Sequence, residues 1–291
     1  MSGNVRPSSE LDPPFTAVRD AVERALREDL EPLGDVTSTL LPPDLVGSAN
    51  VVARGEGILA GTACAAETFH QVDAAIECGW RLGDGGSVEP GEVIATLHGP
   101  MASILTAERT ALNFLGHLSG IATLTRRFVR AAHGNNARIW DTRKTTPGLR
   151  ALQKAAVRAG GGANHRGNLS EWVLVKDNHL GDMSVAEAIR RARLRWPGRT
   201  VQVEADKLSQ VREAIEADAD IVLLDNMDAD QVTFCVELRG DKRRPLLEVS
   251  GGVTLQTVAE YAATGVDLIS VGAITNSAPV LDIGLDLLTE A

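Results

Sequence analysis

The sequence predicts an α/β protein in two parts. An N-terminal α/β sandwich-like domain comes first, followed by an open, incomplete parallel α/β barrel of about six to seven strands. Three observations lead there. From Ala137 onward, short apolar β-type runs alternate with helical segments, which implies βαβ units and a parallel sheet curling toward a barrel. Each of those runs stops at a polar or glycine-bearing group. The 291 residues include 28 glycines but only 3% aromatics, which suits tightly packed α/β layers better than the aromatic stacking platforms of nucleic-acid binders.

Residues 1–14 are polar and proline-bearing, with no signal-peptide core, and read as a frayed terminus. Phe15 to Leu30 places Val18, Val22, Leu26 and Leu30 on one face, an amphipathic helix. Val51–Ala53 and Gly57–Ala60 are short strand candidates, and Cys64–Gln71 looks helical. The turn GDGGSVEPG, before a strand carrying Val93, Ala95 and Leu97, is similar to the turn of biotinyl and lipoyl carrier domains. Those need a modifiable lysine and the first half of this chain has none, so the turn reads as structural. Met101 to Ala132 is one long helical region in which Gly116 and Gly120 permit either close packing or a break. The expected division is 15–115 for the N-terminal domain and 116–275 for the barrel, with 276–291 packing back on the first domain.

In the second half the strand candidates are Arg138–Trp140, Trp172–Val175, Thr200–Val203, Ile221–Leu224, Pro245–Val249 and Leu268–Val271. Helices are expected at Ser184–Arg195, Lys207–Ala217, Ala229–Leu238 and Thr254–Ala263. Barrel enzymes place their sites at the C-terminal ends of strands. The groups Asp141-Arg143-Lys144, Lys176-Asp177, Glu204-Asp206, Asp225-Asn226, Glu248-Ser250-Gly251-Gly252 and Gly272 should therefore converge on one face.

The formal charge of −10 argues against a nucleic-acid partner. Cys64, Cys78 and Cys235 form no metal or disulfide pattern, and no apolar run reaches membrane-spanning length, so the expected home is the reducing cytoplasm. Against that acidity, Asp141 to Lys176 holds seven basic residues and two acidic ones, a concentration of positive charge that suggests an anionic ligand. Arg150, Lys154 and Arg158 recur every four residues and read as a solvated helix face. Arg143, Lys144, Arg166 and Lys176 lie at strand ends or in a glycine-rich loop, where that reading fits poorly.

The runs DTRKTTPGLR, GGGANHRG and LVKDNH, with LTAERTALNFLGHLSGIAT before them and VEAD, LLDN, EVSGG and VGAIT after, resemble the quinolinate phosphoribosyltransferases, members of the type II phosphoribosyltransferase family. The resemblance covers most of residues 105–285 and is specific as an ordered set. It implies transfer of phosphoribose from phosphoribosyl pyrophosphate to quinolinate with decarboxylation, giving nicotinate mononucleotide for NAD synthesis. By the resemblance, Arg109, Arg143, His165, Arg166 and Lys176 would serve quinolinate. Thr142, Lys144, Glu204, Asp225, Ser250, Gly251, Gly252, Val271, Gly272 and Ala273 would serve the donor, and Lys144, Lys176, Glu204 and Asp225 would carry catalysis. Mg²⁺ would arrive on the pyrophosphate with Glu204 and Asp225 nearby, and a homodimer would donate Arg109 across its interface. Asn276 stands where the family usually has histidine.

The residue chemistry is compatible with these roles. Arginine forks match carboxylates bidentately. Glu204 and Asp225 make sense beside ribose hydroxyls, a bound metal or a developing sugar cation, and the SGG and VGA segments offer backbone N–H groups to a phosphate. A different chemistry remains open at this point: Lys176 as a Schiff-base nucleophile of an aldolase, with Asp177 and His179 as proton relay. A non-catalytic sugar-phosphate binder is a further alternative.

Overall fold

The structure, a computed structural model, describes residues 10–288; most of the N-terminal stretch expected to fray lies outside the described residues. In chain order the first elements are α1 (Phe15–Leu30), β1 (Val46–Ala53), β2 (Gly57–Ile58), α2 (Thr62–Val72), β3 (Glu77–Trp80), β4 (Ser87–Val88), β5 (Val93–Pro100) and α3 (Met101–Ala131). There follow β6 (Arg138–Trp140), α4 (Arg150–Ala159), β7 (Val173–Val175), α5 (Asp177–Leu180), α6 (Val185–Arg195), β8 (Val201–Ala205) and α7 (Leu208–Glu216). The chain continues through β9 (Ile221–Asp225), α8 (Ala229–Arg239), β10 (Leu246–Ser250), α9 (Val258–Ala263), β11 (Leu268–Ser270), α10 (Ala273–Asn276) and β12 (Ile283–Leu288). Two compact units result: the chain up to Arg126 with Thr145–Gly161 and everything from Ile274, and Arg127–Lys144 with Gly162–Ala273. Residue 115 lies within the unbroken α3.

The first unit is an antiparallel four-stranded sheet in the order β12-β1-β5-β3. Val51, Leu97, Ile94, Ile104, Leu115, Phe69 and Ile283 meet in its core. Gly116 and Gly120 serve close packing and do not break the helix: a Cβ on Gly120 would collide with the Pro279 carbonyl, and Leu281 N–H donates to Gly116 O at 3.0 Å. The GDGG turn has a structural task, because Asp84 accepts from the N–H groups of Gly61 and Thr62, both at 3.0 Å, at the start of α2.

The reading of Arg150, Lys154 and Arg158 as a solvated face is corrected. Lys154 is buried, and the Arg158 guanidinium donates to the carbonyls of Leu11 and Asp12 at 3.0 and 3.1 Å. Periodicity of charge located a face of α4 but not what covers it.

The second unit is a parallel six-stranded sheet in the order β6-β11-β10-β9-β8-β7, and β6 and β7 do not pair, so it stays open. The first four residues of β9 are all buried, as expected when a parallel sheet is covered on both faces. Beside β6, Ala163 makes an isolated parallel bridge to Trp140, its N–H donating to Ile139 O at 2.9 Å. The glycine-rich loop is thereby attached to the sheet.

Candidate active site

Because the six strands are parallel, their C-terminal ends lie along one edge, and the residues there come from well-separated parts of the sequence. Ser250 at the end of β10 pairs in register with Asp225 at the end of β9, and Ala205 of β8 pairs with Leu224. Trp140, the last residue of β6, pairs with Ser270 of β11.

Lys176, the residue after β7, places Nζ 2.5 Å from Oε2 of Glu204 on β8. Asp225 follows on the next strand. Its carboxyl is raised above the ordinary aspartate range, first by burial and then by the Glu204 charge, while Lys176 and Lys144 pull it back. Lys144, Lys176 and Glu204 thus all act on the Asp225 carboxyl. Asn226 holds one edge of it, its side-chain amide donating to Asp225 Oδ2 at 2.7 Å from a backbone at φ +55°. The same side chain occupies the space a Cβ on Gly251 would need, which explains glycine at that position, where φ is +98°.

The second cluster is cationic. Arg166 is buried and donates from Nη1 to Trp172 O at 3.2 Å. Among the described residues its Nε and the Nε of Arg143 are buried without a hydrogen-bond partner, as is the Trp140 indole N–H. Burial, and then the neighbouring Arg143 charge, lower the Arg166 pKa. Two guanidiniums that repel each other and keep buried donors unspent are arranged for an anion.

Asp141, fully buried after β6, positions the loop that carries Arg166. Its two oxygens accept from His165 N at 2.8 Å and Asn164 Nδ2 at 2.7 Å. His165 is packed edge-on to Trp140, ring centroids 5.4 Å apart, and lies 5.0 Å from the Trp172 ring.

Other expected residues divide. Thr142 Oγ1 accepts from Lys144 N at 3.0 Å and shapes that turn. Ser250 O accepts from Asn226 N, and Gly252 has φ +62°, a backbone that favours glycine. Val271 departs from the expectation that it offers an amide to a phosphate: its N–H donates to Trp140 O at 2.9 Å, and its side chain is buried. Gly272 and Ala273 follow it into α10. Arg109, in the first unit, is exposed on α3 and has no hydrogen-bond or ion-pair partner among the described residues. Asn276 is exposed, its Oδ1 accepting from Ser277 Oγ.

Lys176 does not have the surroundings of a Schiff-base nucleophile. Its ammonium is committed to Glu204, and His179 accepts the Lys176 backbone N–H at 3.0 Å instead of serving Nζ. Sequence reasoning named Asp141 and Glu248 only among the strand-end groups, gave them no role of their own, and missed Gln202. The signal for Glu248 was present, an acidic residue inside an apolar run, but nothing in the sequence says whether such a side chain faces solvent or core.

Among the described residues no helix is long and apolar enough to cross a membrane, and no three acidic, histidine or cysteine side chains form a metal cage.

Residues 35–119 match the N-terminal domain of quinolinate phosphoribosyl transferase and residues 121–286 match its C-terminal domain. The chain is 43% identical over 279 residues to the nicotinate-nucleotide pyrophosphorylase [carboxylating] of Mycobacterium leprae, covering 94% of this chain and 98% of that protein. It is 37% identical over 310 residues to a quinolinate phosphoribosyltransferase [decarboxylating] of Nicotiana tabacum, covering 97% and 86% of the two. The solved nicotinate-nucleotide pyrophosphorylase of Francisella tularensis superposes with a TM-score of 0.91 at 38% identity, over 97% of this chain and all of that one. With both of its domains matched in order, the chain belongs to the quinolinate phosphoribosyltransferase family.

Proposed function

We propose that this protein transfers phosphoribose from phosphoribosyl pyrophosphate to quinolinate with loss of CO₂, yielding nicotinate mononucleotide and pyrophosphate in NAD biosynthesis. The observation that carries this reading is the pair of buried, unspent Nε donors on Arg143 and Arg166 near a mixed lysine and carboxylate group. The family's named activity agrees with it.

In this reading Arg143 and Arg166 grip the two adjacent carboxylates of quinolinate, and the dianion relieves their mutual repulsion. His165, held by Asp141, and Lys176 orient the ring, and Arg109 reaches it from the second subunit of a homodimer. Its exposure and lack of a partner among the described residues support that last assignment. The ring nitrogen forms a bond to C1′ of the donor as the C1′–O bond breaks and pyrophosphate takes the electron pair. Glu204 and Asp225 face the ribose hydroxyls and the cationic carbon developed on the way, while Lys144 draws the leaving group. Ser250, Gly251, Gly252, Gly272 and Ala273 cradle the terminal phosphate. The carboxylate beside the quaternised nitrogen then leaves as CO₂, its bonding electrons staying on the ring carbon that takes up a proton. Alignment of the two substrates is the protein's main contribution to the first step.

Glu204 and Asp225 supply too few ligands to cage a metal alone, but two close carboxylates, one with a raised pKa, suit Mg²⁺ that arrives chelated by pyrophosphate. When bound, that ion supplies neutralisation of the leaving charge. The three free thiols fit a cytoplasmic setting.

The test is incubation of the purified protein with Mg²⁺, phosphoribosyl pyrophosphate and either quinolinate or nicotinate, following nucleotide and CO₂. Nucleotide with stoichiometric CO₂ from quinolinate, and none from nicotinate, is the expected result. Normal donor binding with no product from quinolinate would replace this reading with that of a sugar-phosphate binder.

A further inference from the structure

A buried polar chain runs through the sheet behind the arginine pair. The Trp172 indole N–H can only donate, and it donates to Gln202 Oε1 at 2.9 Å. That orients the amide, so Gln202 Nε2 donates to Glu248 Oε2 at 2.7 Å. The other carboxyl oxygen of Glu248 meets Ser270 Oγ. A hydroxyl there can donate to a carboxylate or accept from a carboxylic acid, so this is the one link whose direction can reverse.

His165 makes the third approach, its Nε2 lying 3.7 Å from Glu248 Oε2. Its Nδ1 accepts the Arg166 backbone N–H at 2.9 Å, so while that bond lasts the ring is neutral and carries its proton on Nε2, toward Glu248. Glu248 is completely buried, and burial pushes its carboxyl up to about 7, although Ser270, Gln202 and the Lys176 charge act the other way. The titratable groups facing it are His165, from the loop bridged to β6, and Lys176, after β7; Gln202 of β8 and Ser270 of β11 are neutral. A lone carboxyl in a sheet interior is costlier than an apolar side chain of its size, so stability of the sheet does not account for it.

We propose that Glu248 is a positioning residue that couples the dicarboxylate site to a proton. It is neutral, sharing its proton with Ser270 Oγ, when Arg143, His165 and Arg166 hold a dianion, and without the dianion it ionises as pH rises through the neutral range. The inference rests on the quinolinate reading given above. A dianion next to His165 and Arg166 raises the energy of another negative charge on Glu248, so binding draws a proton onto it. By linkage, ionisation of Glu248 weakens binding to the same degree. Affinity for quinolinate is therefore full at mildly acidic pH and falls as pH rises through the neutral range. Trp172 and Gln202 set the direction of the chain, and Ser270 provides the reversible link.

The test is calorimetric titration of quinolinate into the full-length protein, in two buffers of different ionisation enthalpy, from mildly acidic to mildly alkaline pH. Wild type should take up a fraction of a proton on binding and show a Kd that rises with pH. E248Q should show neither. Its fold should survive, because the glutamine oxygen can accept from Gln202 while its amide donates to Ser270 Oγ. S270A, which removes a donor to the carboxylate, should keep the uptake and move the rise in Kd to higher pH. If E248Q, or S270A should E248Q fail to fold, has the same proton uptake and the same pH dependence as wild type, the proton resides elsewhere and the proposal is overturned. A wild-type protein that binds no quinolinate at any pH would overturn the dicarboxylate reading itself, a result distinct from intact binding with unaltered proton uptake.

Discussion

The four-stranded antiparallel sheet and the six-stranded parallel sheet bury different things. In the first unit the covered face is made of Val51, Leu97, Ile104, Leu115 and their neighbours, and small residues such as Gly116 and Gly120 let backbones approach. In the second unit the sheet also encloses Glu248, Gln202, Asp141, His165 and Arg166, and among the described residues three arginine Nε donors stay unspent, those of Arg143 and Arg166 and that of Arg239, whose Nη1 is ion-paired with Asp267. Burying unpaired charge costs free energy that apolar packing does not. On the proposed reading the second unit gives up stability for a prearranged anion site, while the first follows ordinary packing rules. Substitutions in the two units should therefore move stability and activity in opposite ways.

The largest effect is expected from Arg166→Met. Loss of a buried charge contact should lower kcat/KM for quinolinate by about 2–5 kcal/mol, roughly 30-fold to several thousand-fold, with donor binding little changed. Removal of a buried cation that is repelled by Arg143 should at the same time raise stability by about 1 kcal/mol, read from thermal or denaturant unfolding. A variant that loses both activity and stability would break the comparison.

Arg109 is the exception in the first unit, an exposed cation without a partner among the described residues, on a helix whose other face is core. If it serves a second subunit, R109A and R166A should each be nearly inactive alone. Mixed after unfolding and refolding together, they should recover about a quarter of wild-type activity, because half the dimers are mixed and each has one complete site. No recovery, with mixed dimers demonstrated by mass, would confine Arg109 to its own chain.

The smallest effect on activity is expected from Gly120→Ala. The added methyl would meet the Pro279 carbonyl, at a cost of about 1–3 kcal/mol in stability. At a temperature where the variant is folded, kcat/KM should match wild type. A large loss of activity without a loss of stability would show that the packing of α3 against the C-terminal segment serves the chemistry.

The parallel sheet was legible in the sequence because each buried strand is a continuous apolar run closed by a polar residue. Ile221–Asp225 and Leu246–Ser250 lie within a residue of their expected places. The grouping of Lys176, Glu204 and Asp225 was legible for the same reason, because a parallel sheet forces strand ends to one edge, while Arg166 was singled out by its glycine-rich loop. What tertiary partners decide was not legible. The spacing of Arg150, Lys154 and Arg158 could not show that carbonyls of Leu11 and Asp12 cover one end of it. The apolar tail from Val280 to Leu288 gave no sign of the antiparallel register that joins Leu285 to Val51. Glu248 was read only as one of the strand-end groups, because burial of a single side chain depends on its facing residues, Gln202, Ser270 and His165, which are distant in sequence.

The most direct measurement of the central claim is a crystal structure of this protein with quinolinate. The account predicts both pyridine carboxylates at the arginine pair, with Arg143 Nε and Arg166 Nε each donating to a carboxylate oxygen and the ring beside His165. Quinolinate bound elsewhere, with both Nε atoms still buried and without a partner, would contradict it.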